Sequence, residues 1–405
     1  MSDVSDETEE LIVRLAARGD GVTAGGRHVL MGAPGDHVRD DGSLRHGPHH
    51  AEPACRHYGV CGGCQLQHVD DAALGDFVTE RVVNAARSQR IEPEVVAPVH
   101  LSPSFTRRRA NLHGARTGGV VLGYKEAQSH QIVNLKECPV LAPELFALVE
   151  PLRRMLGRRQ GKLAVEVDLT LTGQGVDVSI KGYKVEGLAE TEAALDFARD
   201  NKLARLSLDQ GYGPESLWEP EPVTVSLSGV AVPLPPGAFL QATADGEAAL
   251  ADAVITWLKG APVVADLFSG LGTFAFALAR AGAKVLAVEA DRAAHTACKA
   301  AAGGAMLPVH TLHRDLFRNP LLVDELNRFA GVVLDPPRAG ARDQVERIAG
   351  STVPRVVYIS CNPSSWARDA ATLIAGGYRL VELRPVGQFR WSNHVELASL
   401  FVKGD

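Results

Sequence analysis

Residues 263–289 read VVADLFSGLGTFAFALARAGAKVLAVE. Two short runs of Val, Leu and Ala, each closing on a carboxylate (Asp266, Glu289), flank a glycine turn and a stretch of helix length. Strands buried on both faces read as near-continuous apolar runs, and parallel neighbours need a crossover of a dozen or more residues, usually a helix. The stretch is therefore one strand–helix–strand unit. The rhythm recurs in GVVLDPP (331–337) and PRVVYISC (354–361), separated by amphipathic segments. From about Val225 onward this predicts a doubly wound α/β domain, a parallel sheet with helices on both faces. Asp266, Glu289, Asp315, Asp335 and Cys361 each fall at or just past the carboxyl end of a predicted strand, where such sheets keep their ligands.

The glycine loop has two readings. Gly270-x-Gly272-x-x-Ala275 satisfies a loose dinucleotide fingerprint, which makes NAD one candidate ligand. However, Asp266 stands just before the glycines, and an acidic residue there suits a cofactor without phosphates at the helix N-terminus. Glu289, at the end of the next strand, is placed to bind ribose hydroxyls. S-adenosylmethionine (SAM) fits this pattern better than NAD.

The rest of the chain bounds the answer. With 405 residues, 45% apolar and 22% charged, the composition is that of a multidomain globular protein and excludes a disordered or fibrous chain. The longest apolar stretch, 267–279, falls short of the roughly 18 residues of a membrane span. Asp3, Asp6, Glu7, Glu9 and Glu10 oppose the positive start of a signal peptide, so a cytoplasmic protein is expected. Residues 11–38 alternate short apolar runs with Gly-Asp-Gly and Pro-Gly-Asp turns, a small β element followed by a polar linker. Helical periodicity over 71–89 and strand-like runs at 120–124, 132–135, 163–171 and 176–180 make a mixed α/β middle segment. The expected divisions are 1–50, 51–225 and 226–405.

Charge and cysteine are unevenly spread. The net charge is -6, yet residues 101–165 hold eleven Lys or Arg against four Glu, including Arg107, Arg108, Arg109, Arg153, Arg154, Arg158, Arg159 and Lys162. A basic patch in an acidic protein is a candidate phosphate-binding surface. Three of six cysteines, Cys55, Cys61 and Cys64, fall within ten residues, and in a reducing compartment such clustering points to metal rather than disulfides. With Cys138 they make four thiolates, a set that serves zinc or an iron-sulfur cluster, and spacing alone does not choose between them. Cys298, in a predicted helix, reads as an inert apolar residue.

Cys361 is different. A strand cysteine is usually a small buried hydrophobe, but one flanked by Ser360 and Asn362 at a ligand edge is placed to act as a nucleophile. The stretch DPPRAG, a spacer, then VVYISCNPSS closely resembles the signature of the RNA 5-methyluridine methyltransferases. Phe239-Leu-Gln241 resembles that family's cofactor-contacting segment, Asn393-His394-Val395-Glu396 its C-terminal base motif, and Cys55-x5-Cys61-Gly-Gly-Cys64 with Cys138-Pro139 the iron-sulfur site of its ribosomal RNA branch. The resemblance covers nearly the whole chain.

It implies a class I SAM-dependent methyltransferase domain over 226–405, a shortened RNA-binding β element of the TRAM type over 1–50, and RNA, foremost 23S rRNA, as substrate, with no membrane and no obligate protein partner. Transfer RNA is the alternative substrate, and an NAD-linked iron-sulfur oxidoreductase the competing enzyme class. Cys361 would add to C6 of uracil and Glu396 would remove the C5 proton. His394, two residues before Glu396 in an extended segment, would project to the same side and offer a second base. Gln241, Phe268, Thr273, Glu289 and Asp335 would surround SAM, with Asp315 near the adenine. Cys55, Cys61, Cys64 and Cys138 would hold a [4Fe-4S] cluster. Thr273, Ser365 and the run Gln388-Phe389-Arg390-Trp391-Ser392 depart from the family pattern of Asn, Thr and Phe-Pro-x-Thr.

Overall fold

The computed structural model describes residues 9–159 and 161–404; Asp3, Asp6 and Glu7 lie outside them. The C-terminal half builds a nine-stranded sheet. Its order begins Val309–His313, Lys284–Glu289, Val263–Leu267, Gly331–Leu334, Arg355–Ser360, all parallel. It continues with Glu396–Lys403, antiparallel to Arg355–Ser360, and then Tyr378–Gly387. Side chains alternate between two cores: along Val263–Leu267, Ala265 and Leu267 join one, Val264 the other. Helices Arg342–Ala349 and Pro363–Ala375 cover the first face, and Ala244–Trp257, Thr273–Arg280 and Arg292–Gly304 the second. This is the doubly wound α/β fold that the apolar runs predict.

Helix starts are fixed by side chains that satisfy the free amides of the first turn. Asp291 caps Arg292–Gly304 by accepting from Ala294 N at 2.7 Å, and Asn362 caps Pro363–Ala375, with proline at the first helical position.

Residues assigned by sequence to the middle segment complete the catalytic sheet. Helix Asp71–Ser88, capped by Asp70, buries Leu74, Phe77, Val78 and Val82 in the core that holds Trp366 and Leu383. Val95–Val96 and His100–Leu101 then pair in parallel with Tyr378–Gly387. A separate six-stranded sheet follows, ordered Pro214–Trp218, Arg205–Asp209, Gly175–Lys181, Ala164–Thr172, Arg109–Arg116, Val120–Gly123. The strand expected at 132–135 is not formed as one: Ile132 makes an isolated bridge to Lys125, and Val133 N and Leu135 N donate to Tyr124 O and Leu122 O. Five short strands between Glu10 and Arg45 make the N-terminal β element. Among the described residues no helix is long and apolar enough to cross a membrane.

Candidate active site

Strands Val263–Leu267 and Gly331–Leu334 are paired neighbours from which the chain order runs outward in both directions. Open α/β sheets bind ligands outside the carboxyl ends of strands at such a switch point, and the glycine loop sits there. Phe268, Gly270 and Gly272 have positive φ of 63°, 54° and 96°. Gly272 is required by packing, since an added Cβ would lie 2.7 Å from a Phe276 ring carbon and 2.8 Å from Cys298 Sγ. At Gly270 nothing lies within 4 Å, so the loop backbone faces open space. Glu289 braces it: Oε2 accepts from Gly270 N at 2.8 Å and Oε1 from Asp291 N at 2.6 Å.

Asp266 is fully buried, yet among the described residues neither carboxylate oxygen has a hydrogen-bond partner, and Ser269 Oγ has none either. Burial foremost, then the Asp335 and Glu289 charges, hold the Asp266 carboxyl well above its ordinary range. Buried polar atoms are rarely left unpaired in native proteins, so orphans beside an open glycine loop fit a polar ligand such as SAM. Phe268 packs against Phe317 with ring centroids 5.3 Å apart, and Phe317 is 48% exposed. Asp315 Oδ1 accepts from Phe317 N at 2.9 Å, fixing that exposed ring beside the loop. Sequence reading passed over Phe317, although an aromatic two residues past a strand-end carboxylate was the available signal. Thr273 opens the helix Thr273–Arg280 behind Gly272.

One sheet step away, Arg355–Ser360 and Glu396–Lys403 pair antiparallel with Ser360 opposite Leu397. Carried one position past the ladder, that register brings Cys361 to Glu396, whose charge acts on the Cys361 thiol. Burial, then the Glu396 and Asp335 charges, push the Cys361 thiol up, and Arg338 opposes them. Burial raises Asp335 to about 7. Glu396, 3% exposed, is raised to about 8 by burial and then by Asp335, with the Gln388 hydrogen bond pulling the other way. Asn362 Nδ2 and Ser365 Oγ both donate to Arg338 O, at 2.8 and 2.9 Å, tying the Asp335-Pro-Pro-Arg338 loop to the Cys361 loop. The serine at 365 keeps the hydroxyl needed for that tie. Gln388 Nε2 donates to Gln241 Oε1 at 2.6 Å and to Glu396 Oε2, so Gln241 joins the same cluster.

Two expectations change. His394 and Glu396 do not share an environment: the strand begins at Glu396, while His394 precedes it outside the ladder, exposed and edge-on to Phe389. The Arg107-Arg108-Arg109 run is not an open phosphate surface. Arg108 pairs with Glu247 at 2.5 Å, Arg109 Nη1 donates to Leu240 O at 2.8 Å, and Arg107 Nε donates to Arg109 O at 3.0 Å. The run fastens the six-stranded sheet to the segment 240–247. Arg107 and Arg109 lie over the rings of Phe389 and Phe239, lining a cleft between the two sheets.

The four expected metal-site cysteines line one cavity with Tyr58, Gln67, Arg107, Tyr124 and Glu137. The loop carrying Cys55 is joined to the Cys138 segment by the Arg56–Glu137 ion pair at 3.1 Å and by Lys136 N donating to His57 Nε2 at 2.9 Å. Burial pushes all four thiols up, Cys64 to about 12. Among the described residues, no three His, Cys, Asp or Glu side chains are gathered closely enough to hold a single metal ion. Cys298 is buried beneath the glycine loop, its thiol also raised to about 12 by burial.

The strand order and the open glycine loop at the switch point define a SAM-dependent methyltransferase. Comparison with known proteins carries this to a family. The tRNA (uracil-5-)-methyltransferase family profile matches residues 311–403. An uncharacterized RNA methyltransferase of Zymomonas mobilis is 46% identical over 97% of this chain and 99% of that protein. The 23S rRNA (uracil(1939)-C(5))-methyltransferase RlmD of Edwardsiella ictaluri is 33% identical over 88% of this chain and 83% of that protein. The crystal structure of Pyrococcus abyssi tRNA (uracil-54, C5)-methyltransferase with S-adenosyl-L-homocysteine superposes with a TM-score of 0.72, covering 98% of this chain and 100% of that one at 23% identity, and so shares the fold. The chain belongs to the RNA (uracil-5-)-methyltransferase family and is a SAM-dependent RNA methyltransferase. That membership sets aside the NAD-linked reading.

Proposed function

We propose that the chain methylates C5 of a uridine in 23S rRNA, in the cytoplasm, through a covalent bond between Cys361 and C6 of the base. The observation that supports this reading is that Cys361 and Glu396 adjoin at the end of one strand pair, near enough for the Glu396 charge to act on the thiol. The rRNA substrate follows the RlmD relative.

C5 of uracil is a weak nucleophile, and covalent addition at C6 activates it. The Cys361 thiol is raised in the free protein, so its proton must first pass to solvent, leaving the thiolate that attacks. The sulfur then bonds to C6, the C5–C6 π pair shifts toward C5 and O4, and C5 becomes the nucleophile. SAM, for which the glycine loop and Asp335 would form the site, would supply the methyl group to C5 and leave as S-adenosylhomocysteine. With the methyl on C5, the Glu396 carboxylate takes the C5 proton, that bond pair restores the C5–C6 double bond, and the Cys361 sulfur leaves as thiolate. Phe268, Phe317, Glu289 and Asp315 would hold the nucleoside end of the cofactor, and Gln241, Thr273 and Asp335 its methionine end. The target base must be unstacked to present C5 and C6.

The four-cysteine cavity has the donor set of an iron-sulfur cluster, the centre that the resemblance implies. Its four thiols share one lining. Cys55, Cys61, Cys64 and Cys138 would hold a [4Fe-4S] cluster, which would covalently fasten the 55–64 loop to the Cys138 segment.

Incubating the protein with labelled SAM and separated rRNA and tRNA, then digesting to nucleosides, tests the assignment. Label in 5-methyluridine from 23S rRNA, lost in Cys361→Ala, is expected. Label in tRNA moves the substrate to transfer RNA, and label in another nucleoside overturns the reading.

A further inference from the structure

We infer that Gln388 is a positioning residue for proton removal, engaging one oxygen of Glu396 so that the other is left to take the proton and holding the carboxylate in register with Gln241. This rests on the covalent reading above.

Gln388 follows the strand Tyr378–Gly387 and is 1% exposed. A side-chain amide can be placed either way round, and here its surroundings choose. The backbone amides of Ala242 and Thr243 donate to one end, at 2.8 and 3.4 Å, so that end is the oxygen. The other end is then the NH2 group, and its two hydrogens serve Gln241 Oε1 and Glu396 Oε2. One side chain therefore joins three pieces of the site: the 241–243 turn, the strand carrying the base, and Gln241.

Two consequences follow. A donor fixed on Oε2 leaves Oε1 of Glu396 as the oxygen not engaged by Gln388 and available to take the C5 proton. A neutral donor also favours the ionised carboxylate, against burial and the Asp335 charge at the end of Gly331–Leu334, while Glu396 in turn acts on the Cys361 thiol at the end of Arg355–Ser360. Gln388 lies in the run that departs from the family pattern.

The step served can be isolated chemically. In RNA with 5-fluorouridine at the target, Cys361 adds and the methyl is transferred, but C5 then carries no proton and the adduct persists. Trapping reads the steps before the base; turnover on uridine RNA includes it. Gln388→Met also frees Gln241 and the 242–243 amides, so trapping at saturating SAM should fall, but about 10-fold or more less than turnover on uridine RNA, and the rise of turnover with pH moves to higher pH. Gln388→Glu, which keeps the length but loses the donor, should shift that rise at least as far. Unchanged turnover and pH profile in both variants, or trapping and turnover falling in parallel, overturns the inference. No adduct with wild type, despite RNA binding, overturns the covalent reading instead.

Discussion

Gln65 holds Trp391 in a left-handed backbone conformation. Trp391 has φ of 59°, unfavourable for a bulky residue, and its carbonyl accepts hydrogen bonds from Gln65 N and Leu66 N at 2.7 and 2.9 Å. Gln65 Oε1 accepts from Asn393 N at 3.2 Å, and Gln65 Nε2 donates to Gly62 O at 2.8 Å. The loop that carries Cys61 and Cys64 is thus built onto the turn leading to Glu396. Gln65→Ala strips Asn393 N and Gly62 O of their partner and should lower stability by about 1–3 kcal/mol. Thermal unfolding with a Tm indistinguishable from wild type would contradict this.

The two loop glycines should fail differently. At Gly272 a Cβ strikes Phe276 and Cys298 and the φ is left-handed, so Gly272→Ala should destabilise the fold by about 2–4 kcal/mol. At Gly270 the space is open, so Gly270→Ala should cost only about 1–2 kcal/mol of backbone strain while weakening SAM binding, because the methyl enters the ligand's space. Denaturant unfolding and calorimetric SAM titration distinguish the two; equal stability losses would refute the assignment.

Glu396 should make stability and activity oppose each other along pH. Its carboxyl is raised from 4.5 to about 8, so the folded protein holds a proton that the unfolded chain releases near 4.5. The associated stability is fully present below pH 4.5 and is lost as pH rises through about 8. Turnover needs the ionised carboxylate and should rise over that upper range. Glu396→Gln should flatten the stability profile while abolishing turnover. Unfolding measured between pH 5 and 9 with unchanged slope in the variant would contradict the account.

The cysteine cavity should load iron. Protein purified without oxygen should be brown with broad visible absorption, and Cys138→Ser should lose most of that colour and iron while SAM still binds. A colourless protein with stoichiometric zinc would contradict the cluster.

Much of this is legible in the sequence. The doubly wound domain followed from apolar runs ending in carboxylates, because buried parallel strands carry their own signature. Cys361 and Glu396 were legible as residues, but not their opposition, which arises from an antiparallel strand whose register no local pattern states. The same limit hid Gln388, whose partners lie 147 and 8 residues away. Charge misled at Arg107–Arg109: composition counts cations without showing that Glu247 and backbone carbonyls have taken them. Helix Asp71–Ser88 was read as a helix and misplaced with the middle segment, because an amphipathic face says that it is buried, not against what.

The account stands or falls on the sulfur of Cys361. Protein incubated with SAM and 5-fluorouridine-containing 23S rRNA fragment, digested with nuclease and protease, should yield by mass spectrometry a peptide whose Cys361 carries a methylated fluorouridine nucleotide. If methyl transfer to uridine RNA proceeds while that peptide is recovered with an unmodified Cys361, the covalent mechanism is wrong.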